Sequence, residues 1–390
     1  MPYRIPFNKP FIVGKELYYI SQSVLQCQTS GDGVYTKKAQ ELMKRIFDAR
    51  EILLTTSCTS ALDLAAILAD VKEGDEVILP SFTFSSTANA FVLRGARPVF
   101  IDCRPDTLNI DENLIESAIT SRTRAIAPVH YAGVGCEMDA ICAIAQRHGL
   151  VVIEDAAQGV NAKYKGRYLG TIGDIGGYSF HETKNFICGE GGAIVLNREE
   201  LVQRAEIVRE KGTNRTRFFR GEVDKYTWVD IGSSLLPSDI LAAFLYAQLE
   251  NMDLITTKRE AIYRLYETGL EPLANRGLIS VPTIPPDCES NYHMFYIVLN
   301  SLDERTRLIE HLKVQSILAV FHYVPLHTSP MGLAMGYCNG MLPVTEAVSE
   351  RLLRLPIYYE MQEDEVALVV DEITKFFGVT HTNKPSAIFV

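Results

Sequence analysis

The chain has 390 residues, room for about two to three domains, and its 47% apolar and 22% charged content is that of an ordinary globular protein with a sizeable core. A formal net charge of −10 without any Lys/Arg-rich block argues against a nucleic-acid surface built on phosphate contacts, although one pocket of an acidic protein can still be positive enough for a small anion. No apolar run of about 18 residues would span a membrane, the N-terminus lacks a signal peptide's apolar run, and the eight scattered cysteines form no C-x-x-C pair, so reduced thiols, a cytoplasmic location and no metal site are expected.

Residues 1–35 show no periodicity and end in the loop-like Thr29-Ser30-Gly31-Asp32-Gly33. Residues 36–48 carry Leu42, Met43, Ile46 and Phe47 at helical spacing. An alternation then sets in. Strand-like runs at 51–54, 75–80, 97–102, 124–130, 150–155, 178–180 and 193–196 enclose helical runs at 61–68, 85–93 and 138–148. Apolar strands alternating with helices predict a parallel α/β sheet covered on both faces. Residues 201–230 are strongly charged, and a long helical pattern runs from Ser238 to about Tyr266. Beyond it lie strand candidates at 293–299 and 318–324 and helices near 304–314 and 345–353, an α+β pattern. The expected division is a large α/β unit over 1–250 and a smaller α+β unit over 251–390, ending in a loosely held tail from Thr380 to Val390.

In open α/β sheets ligands sit beyond the carboxyl ends of the strands. Four polar stretches fall there: 55–60, 81–84, 155–158 and 179–184. Thr59 and Ser60 open a helix, where hydroxyls and unpaired N–H groups suit a phosphate; plain N-capping is the other reading. The run lacks the mononucleotide P-loop pattern. Phe84 follows a strand end and would either stack on a flat heteroaromatic ring or pack in the core. Asp155 follows four residues of a buried strand, an expensive place for a carboxylate without a partner; a pyridinium nitrogen would be one, and helix capping another. Lys184 would form a Schiff base if its pKa is depressed, or lie on the surface. Ser179, five residues earlier, would reach the same phosphate, and His181 would contact substrate or solvent. Each signal is weak alone. Their order, all at strand ends of one α/β unit with a smaller unit behind, is the layout of fold-type I enzymes that use pyridoxal phosphate (PLP), in which a large mixed, mostly parallel sheet unit precedes a smaller α+β unit.

The phrases P-S-F-T-F (80–84), P-V-H-Y-A-G (128–133), E-D-A-A-Q (154–158), S-F-H-E-T-K-N (179–185), E-G-G (190–192) and F-H-Y-V-P-L-H (321–327) resemble the landmarks of the DegT/StrS-type sugar-nucleotide aminotransferases over essentially the whole chain. The runs V-H-Y-A-G-V-G-C-E-M-D, E-K-G-T-N-R and D-K-Y-T-W-V-D-I-G-S-S resemble in particular the subgroup that aminates TDP-4-oxo-6-deoxy-D-glucose for enterobacterial common antigen. The resemblance implies that Lys184 carries PLP, Asp155 holds its ring nitrogen, Gln158 lies by the ring, Phe84 stacks on it, and Thr59, Ser60 and Ser179 hold its phosphate. It also implies glutamate as amino donor, pyridoxamine phosphate between the two halves of the reaction, a nucleotide-sugar acceptor, and a homodimer with sites at the interface. Many relatives have G-[FY]-N-Y-R-M ahead of the long helix, whose Asn reaches the partner's cofactor. Here Ser234 takes that place and Leu236 the Arg place. Lys211, Arg215, His322 and Tyr323 are candidate contacts for the sugar diphosphate. Two other functions stay in view: a PLP-dependent sugar dehydratase, whose relatives have His where this chain has Lys184, and a non-enzymatic regulatory protein on the same fold.

Overall fold

The computed structural model describes residues 3–379; the tail expected from Thr380 lies outside the described residues. The main sheet is built from β1 (Glu51–Thr55), β2 (Glu76–Pro80), β3 (Arg97–Ile101), β4 (Thr123–Ile126), β5 (Val151–Asp155), β8 (Ile175–Ser179) and β9 (Gly192–Leu196), with a hairpin of β6 (Lys163–Tyr164) and β7 (Arg167–Tyr168) inserted before β8. Its order is β1-β9-β8-β5-β4-β2-β3. Strands β8, β5, β4, β2 and β3 pair in parallel, whereas β9 runs antiparallel to both β8 and β1. The sheet is therefore mixed and mostly parallel, as expected.

Strand periodicity puts an apolar layer on each face. Ile52, Leu54, Ile78, Ile126, Val152 and Val195 belong to one core, while their neighbours Leu53, Val77, Leu79, Ala125, Ile153 and Ile194 belong to the other. Burying each such side chain contributes about 1.5–3 kcal/mol, so a register slip of one residue in any of these strands is prohibited. One direct consequence is that the carboxyl ends of β1, β2, β5 and β8 share an edge. The four polar stretches leave the sheet there.

A second sheet, order β11-β13-β12, comprises β11 (Phe295–Val298), β12 (Val320–Phe321) and β13 (Leu352–Leu355), whereas β10 (Cys288–Glu289) pairs with β6 of the hairpin. Phe295, Ile297, Leu353 and Leu355 pack with the helices Met252–Asn275, Leu302–Val314 and Glu363–Phe376 into a core of its own. Ile5 joins that core and bridges to Ile317, so the first described residues pack on the small sheet.

Several expectations about elements need correction. The aperiodic stretch 1–35 contains a helix, Glu16–Leu25. It is organised by the buried Glu16, whose carboxylate accepts from Val13 N and Gly14 N and from Gln248 Nε2. Tertiary contact, not amphipathic spacing, holds it. The long pattern from Ser238 is two helices, Asp239–Leu249 and Met252–Asn275, separated at Glu250 and Asn251. The expected strand over 318–324 is reduced to two residues. The helix expected over 345–353 is Pro343–Arg351, and the next residues form β13. That last error matters for the site.

Candidate active site

The strand ends converge on a cavity of about 460 Å³, lined among others by Cys58, Thr59, Phe84, Asp155, Gln158, Ser179, His181, Lys184, His293, His322, Tyr323 and Arg354. A larger, shallower groove of about 890 Å³ along Arg4, Lys9, Tyr358 and Glu360 touches none of the strand-end stretches.

At the end of β1, Ser57 caps the helix Cys58–Leu68, its Oγ accepting from Ser60 N at 3.1 Å. Ser57 thus takes the capping role, and the Thr59 hydroxyl faces the cavity at 2.8 Å from Ser86 Oγ. Ser60 does not line the cavity; its Oγ pairs with Thr56 Oγ1 at 2.8 Å. Gly192, the first residue of β9, passes so close to the Ser57–Cys58 peptide that no Cβ fits there. That close approach brings the glycine-rich stretch against the start of the helix.

After β2, Phe84 precedes the helix Ser85–Val92 and is 59% exposed, with its ring 6.4 Å from that of Tyr323. Such exposure excludes the core reading and leaves a ring face free to stack. At the end of β5, Asp155 is buried; its Oδ2 accepts from Thr87 Oγ1 at 2.7 Å and its Oδ1 from Ala157 N at 3.1 Å. No ion pair engages it among the described residues, so a buried carboxylate faces the cavity with lone pairs to spare. Next to it, Gln158 Oε1 accepts from Ala132 N and Nε2 donates to Tyr323 OH.

Lys184 sits in the loop after β8, which is anchored by the fully buried Phe180 and Phe186. Its Nζ makes no hydrogen bond or ion pair among the described residues. The walls strip it of water, which lowers its pKa; Arg354 lowers it further, and Cys58 and Asp155 oppose the shift. The residual accessibility of Lys184 is toward the cavity it lines. Its neighbour Asn185 donates to Asn291 O and accepts from His293 Nδ1. Burial and nearby cations push His293 and His322 well below the usual histidine range.

Other predicted residues lie elsewhere. Lys211 and Arg215 converge on the Glu210 carboxylate, and Ser234 forms a bridge with Glu210 on an exposed segment, all outside the cavity. Conversely, sequence reasoning passed over His293, Thr87, Cys58 and Arg354. The signal for Arg354 was present: an arginine inside Leu-Leu-Arg-Leu is as costly as Asp155 at the end of its strand. Reading Leu352 and Leu353 as the end of a helix hid the alternation.

A lysine with a free amine, a carboxylate open to a cationic ring nitrogen, an exposed aromatic face, and hydroxyls at a helix start together fit a phosphorylated pyridinium aldehyde. Fold and cavity together define a PLP-dependent transferase of fold type I. The chain belongs to the DegT/DnrJ/EryC1/StrS aminotransferase family, whose profile matches residues 13–374, and it is a PLP-dependent transaminase. It is 38% identical over 351 residues to an uncharacterized protein of Methanocaldococcus jannaschii, covering 88% of this chain and 90% of that one. It is 33% identical to the spore coat polysaccharide biosynthesis protein SpsC of Bacillus subtilis, covering 95% and 96%. Among solved structures, a Streptococcus pneumoniae chain assigned as a sugar aminotransferase, in its PLP form, superposes with a TM-score of 0.88 at 25% identity, covering 96% and 98%. No described helix is long and apolar enough to cross a membrane.

Proposed function

We propose that this transaminase moves an amino group from glutamate to C4 of a nucleotide-linked 4-oxo-6-deoxy sugar, and specifically makes dTDP-4-amino-4,6-dideoxy-D-galactose from dTDP-4-oxo-6-deoxy-D-glucose. The observation that carries amino transfer is the unpaired, desolvated Lys184 amine sharing a cavity with Asp155. The sugar assignment rests on the motif resemblance.

Lys184 is the residue that would hold PLP, Asp155 would face its ring nitrogen, Phe84 would cover its ring, and Thr59, Ser179 and the Cys58–Leu68 helix start would take its phosphate. When bound, PLP supplies an electron sink for the pair left behind when a proton leaves carbon. Lys184 Nζ then accepts the α-carbon proton of glutamate and, in the second half, delivers a proton to C4 of the sugar. Its lowered pKa favours the neutral amine this requires. Asp155, oriented by Thr87 and Ala157, would present its carboxylate to the ring nitrogen. Tyr323, held by Gln158, and His322, held by the Tyr131 hydroxyl at 3.0 Å, form the opposite wall and would contact the sugar with His181.

Residues 1–250 and 251–390 serve as the large and small units, with the cavity between their sheets. The enzyme is cytoplasmic and works as a homodimer. Support comes from the segment carrying Lys211, Arg215 and Ser234, where Phe219, Tyr226, Trp228 and Val229 stand exposed. A monomer in water would not favour such an apolar patch, and a partner would cover it. In the dimer these three polar residues reach toward the partner's site.

The test is purified enzyme with glutamate and TDP-4-oxo-6-deoxyglucose, the product being analysed by NMR. A 4-amino sugar with an axial C4 amine is expected, along with 2-oxoglutarate. An equatorial amine would replace the galacto assignment with gluco, and loss of a hydroxyl without 2-oxoglutarate would replace transamination with dehydration. The cofactor absorption band must disappear in Lys184→Ala; its persistence would remove Lys184 from the assignment.

A further inference from the structure

Two landmark phrases of the chain meet just outside the cavity. Ser81, of P-S-F-T-F, and His327, of F-H-Y-V-P-L-H, are both fully buried and are joined by two hydrogen bonds. His327 N donates to Ser81 Oγ at 3.0 Å, and Ser81 Oγ donates to His327 Nδ1 at 2.7 Å. The direction of the second bond follows from the far side of the ring. There the Glu346 carboxylate accepts from Gly340 N, from Leu342 N and from His327 Nε2 at 2.9 Å, which puts the ring hydrogen on Nε2. The serine's own hydrogen then goes to Nδ1. Leu326 N adds a third link, to the Ser81 carbonyl at 3.0 Å. Serine, histidine and glutamate stand in the order of a nucleophile and its base, but no substrate reaches a serine that is fully buried.

What the cluster joins is two walls of the site. Ser81 directly follows β2 and is held by the main sheet, and three residues further on stands Phe84. His327 closes the segment that leaves β12 and carries His322 and Tyr323, whose ring lies 6.4 Å from that of Phe84. That segment has one end in the small sheet and the other at Ser81. The helix Pro343–Arg351, which bears Glu346, has a separate fastening: Asp102, just past β3, accepts from Val344 N at 2.9 Å and from Thr345 N at 2.8 Å. Breaking the serine–histidine link therefore loosens residues 322–327 and leaves the helix docked.

We propose that His327 is a positioning residue for the acceptor half of the reaction: pinned to Ser81, it holds Tyr323 and His322 where they meet the sugar. This rests on the transaminase reading. Lys184, Asp155 and Thr59 hang from the ends of other strands, so proton removal from glutamate does not depend on the pin.

The test compares the two half-reactions of the PLP-loaded enzyme by stopped flow, first with glutamate and then, from the pyridoxamine phosphate form, with TDP-4-oxo-6-deoxyglucose. Ser81→Ala and His327→Gln each cut the link, the second keeping a donor for Glu346. Each should slow the sugar half-reaction about 10- to 100-fold, the cost of a small displacement near reacting atoms, with the glutamate half-reaction and the cofactor band unchanged. Because both remove the same link, the double variant should be no slower than the slower single one. Hydrogen exchange should quicken over 322–328 and stay at the wild-type level over 344–351. Equal slowing of both half-reactions, or losses that multiply in the double variant, would reduce His327 to a general structural role and overturn the inference. So would wild-type sugar rates, or unchanged exchange over 322–328, in both single variants. A wild type without a cofactor band would instead remove the transaminase reading, and this inference with it.

Discussion

His293 donates from Nδ1 to Asn185 Oδ1 at 2.9 Å, one residue beyond Lys184. The direction follows from the far side of the amide, where Asn185 Nδ2 must donate to the Asn291 carbonyl at 2.7 Å. The His293 carbonyl in turn accepts from Arg259, and Asn291 Nδ2 donates to the carbonyls of Gln158 and Val160. Because the ring is neutral and Nδ1 carries its hydrogen, Nε2 is left as an acceptor on the cavity wall. The Lys184 loop is thereby tied to the segment entering β11 and to the loop after β5 at once.

His293→Ala should accordingly misplace Lys184 without removing it. A small displacement near reacting atoms costs up to about 100-fold in rate. Stopped-flow measurement of the glutamate half-reaction should show that loss, while the cofactor band is retained. A half-reaction at the wild-type rate would count against the tie.

Thr87 aims the Asp155 carboxylate from the first turn of the helix Ser85–Val92. Thr87→Val keeps the shape and deletes the donor, a change of about 1.5–3 kcal/mol for a hydrogen bond to a charged group, or roughly 10- to 100-fold in PLP affinity. Asp155→Ala should go much further and nearly abolish transamination with PLP still weakly bound. Fluorescence titration of the apoenzyme with PLP checks both.

Stability should depend on the carboxylate one residue earlier. Glu154 is wholly buried and accepts from Gly170 N, Ile172 N, Gly173 N and His130 Nε2, while His130 Nδ1 accepts from Cys136 N. His130 is thus a neutral donor. Glu154→Gln supplies an amide where only acceptors fit and should cost about 3 kcal/mol or more, read as a shift in the urea midpoint.

The two depressed histidines make the apoenzyme acid-labile. For a base whose folded pKa lies below its unfolded value, the unfolded chain binds more protons between the two, so stability falls as pH falls through that window. For His293 and His322 the window opens near pH 6.5 and extends downward, with a slope of up to about 1.4 kcal/mol per pH unit for each. Thermal unfolding of the apoenzyme from pH 7 to pH 5 should show the fall, and the double variant His293→Gln/His322→Gln should flatten it.

Much of this was legible in one dimension. Asp155, Lys184, Phe84 and Thr59 could be singled out because a parallel α/β sheet brings the carboxyl ends of β1, β2, β5 and β8 to one edge, and polar residues following apolar strands must stand there. The helix Met138–His148 has the very bounds its spacing predicts, since an apolar stripe on a helix is a local property. Arg354, His293 and Thr87 were not visible in the same way. Each acts across a long stretch of sequence: Thr87 on Asp155, His293 on Asn185, and Arg354 on a lysine 170 positions earlier.

The sequence by itself determined the fold class, the family and the residue types of the site, because periodicity and strand-end polarity are written locally. Only the tertiary structure decided which of those residues meet. It separated Ser60, Lys211, Arg215 and Ser234 from the cavity and supplied the wall from the small sheet. The physical reason is that burial and pairing arise between segments: the same lysine is a solvated surface group or a desolvated base according to whether Arg354, Cys58 and Asp155 are folded against it.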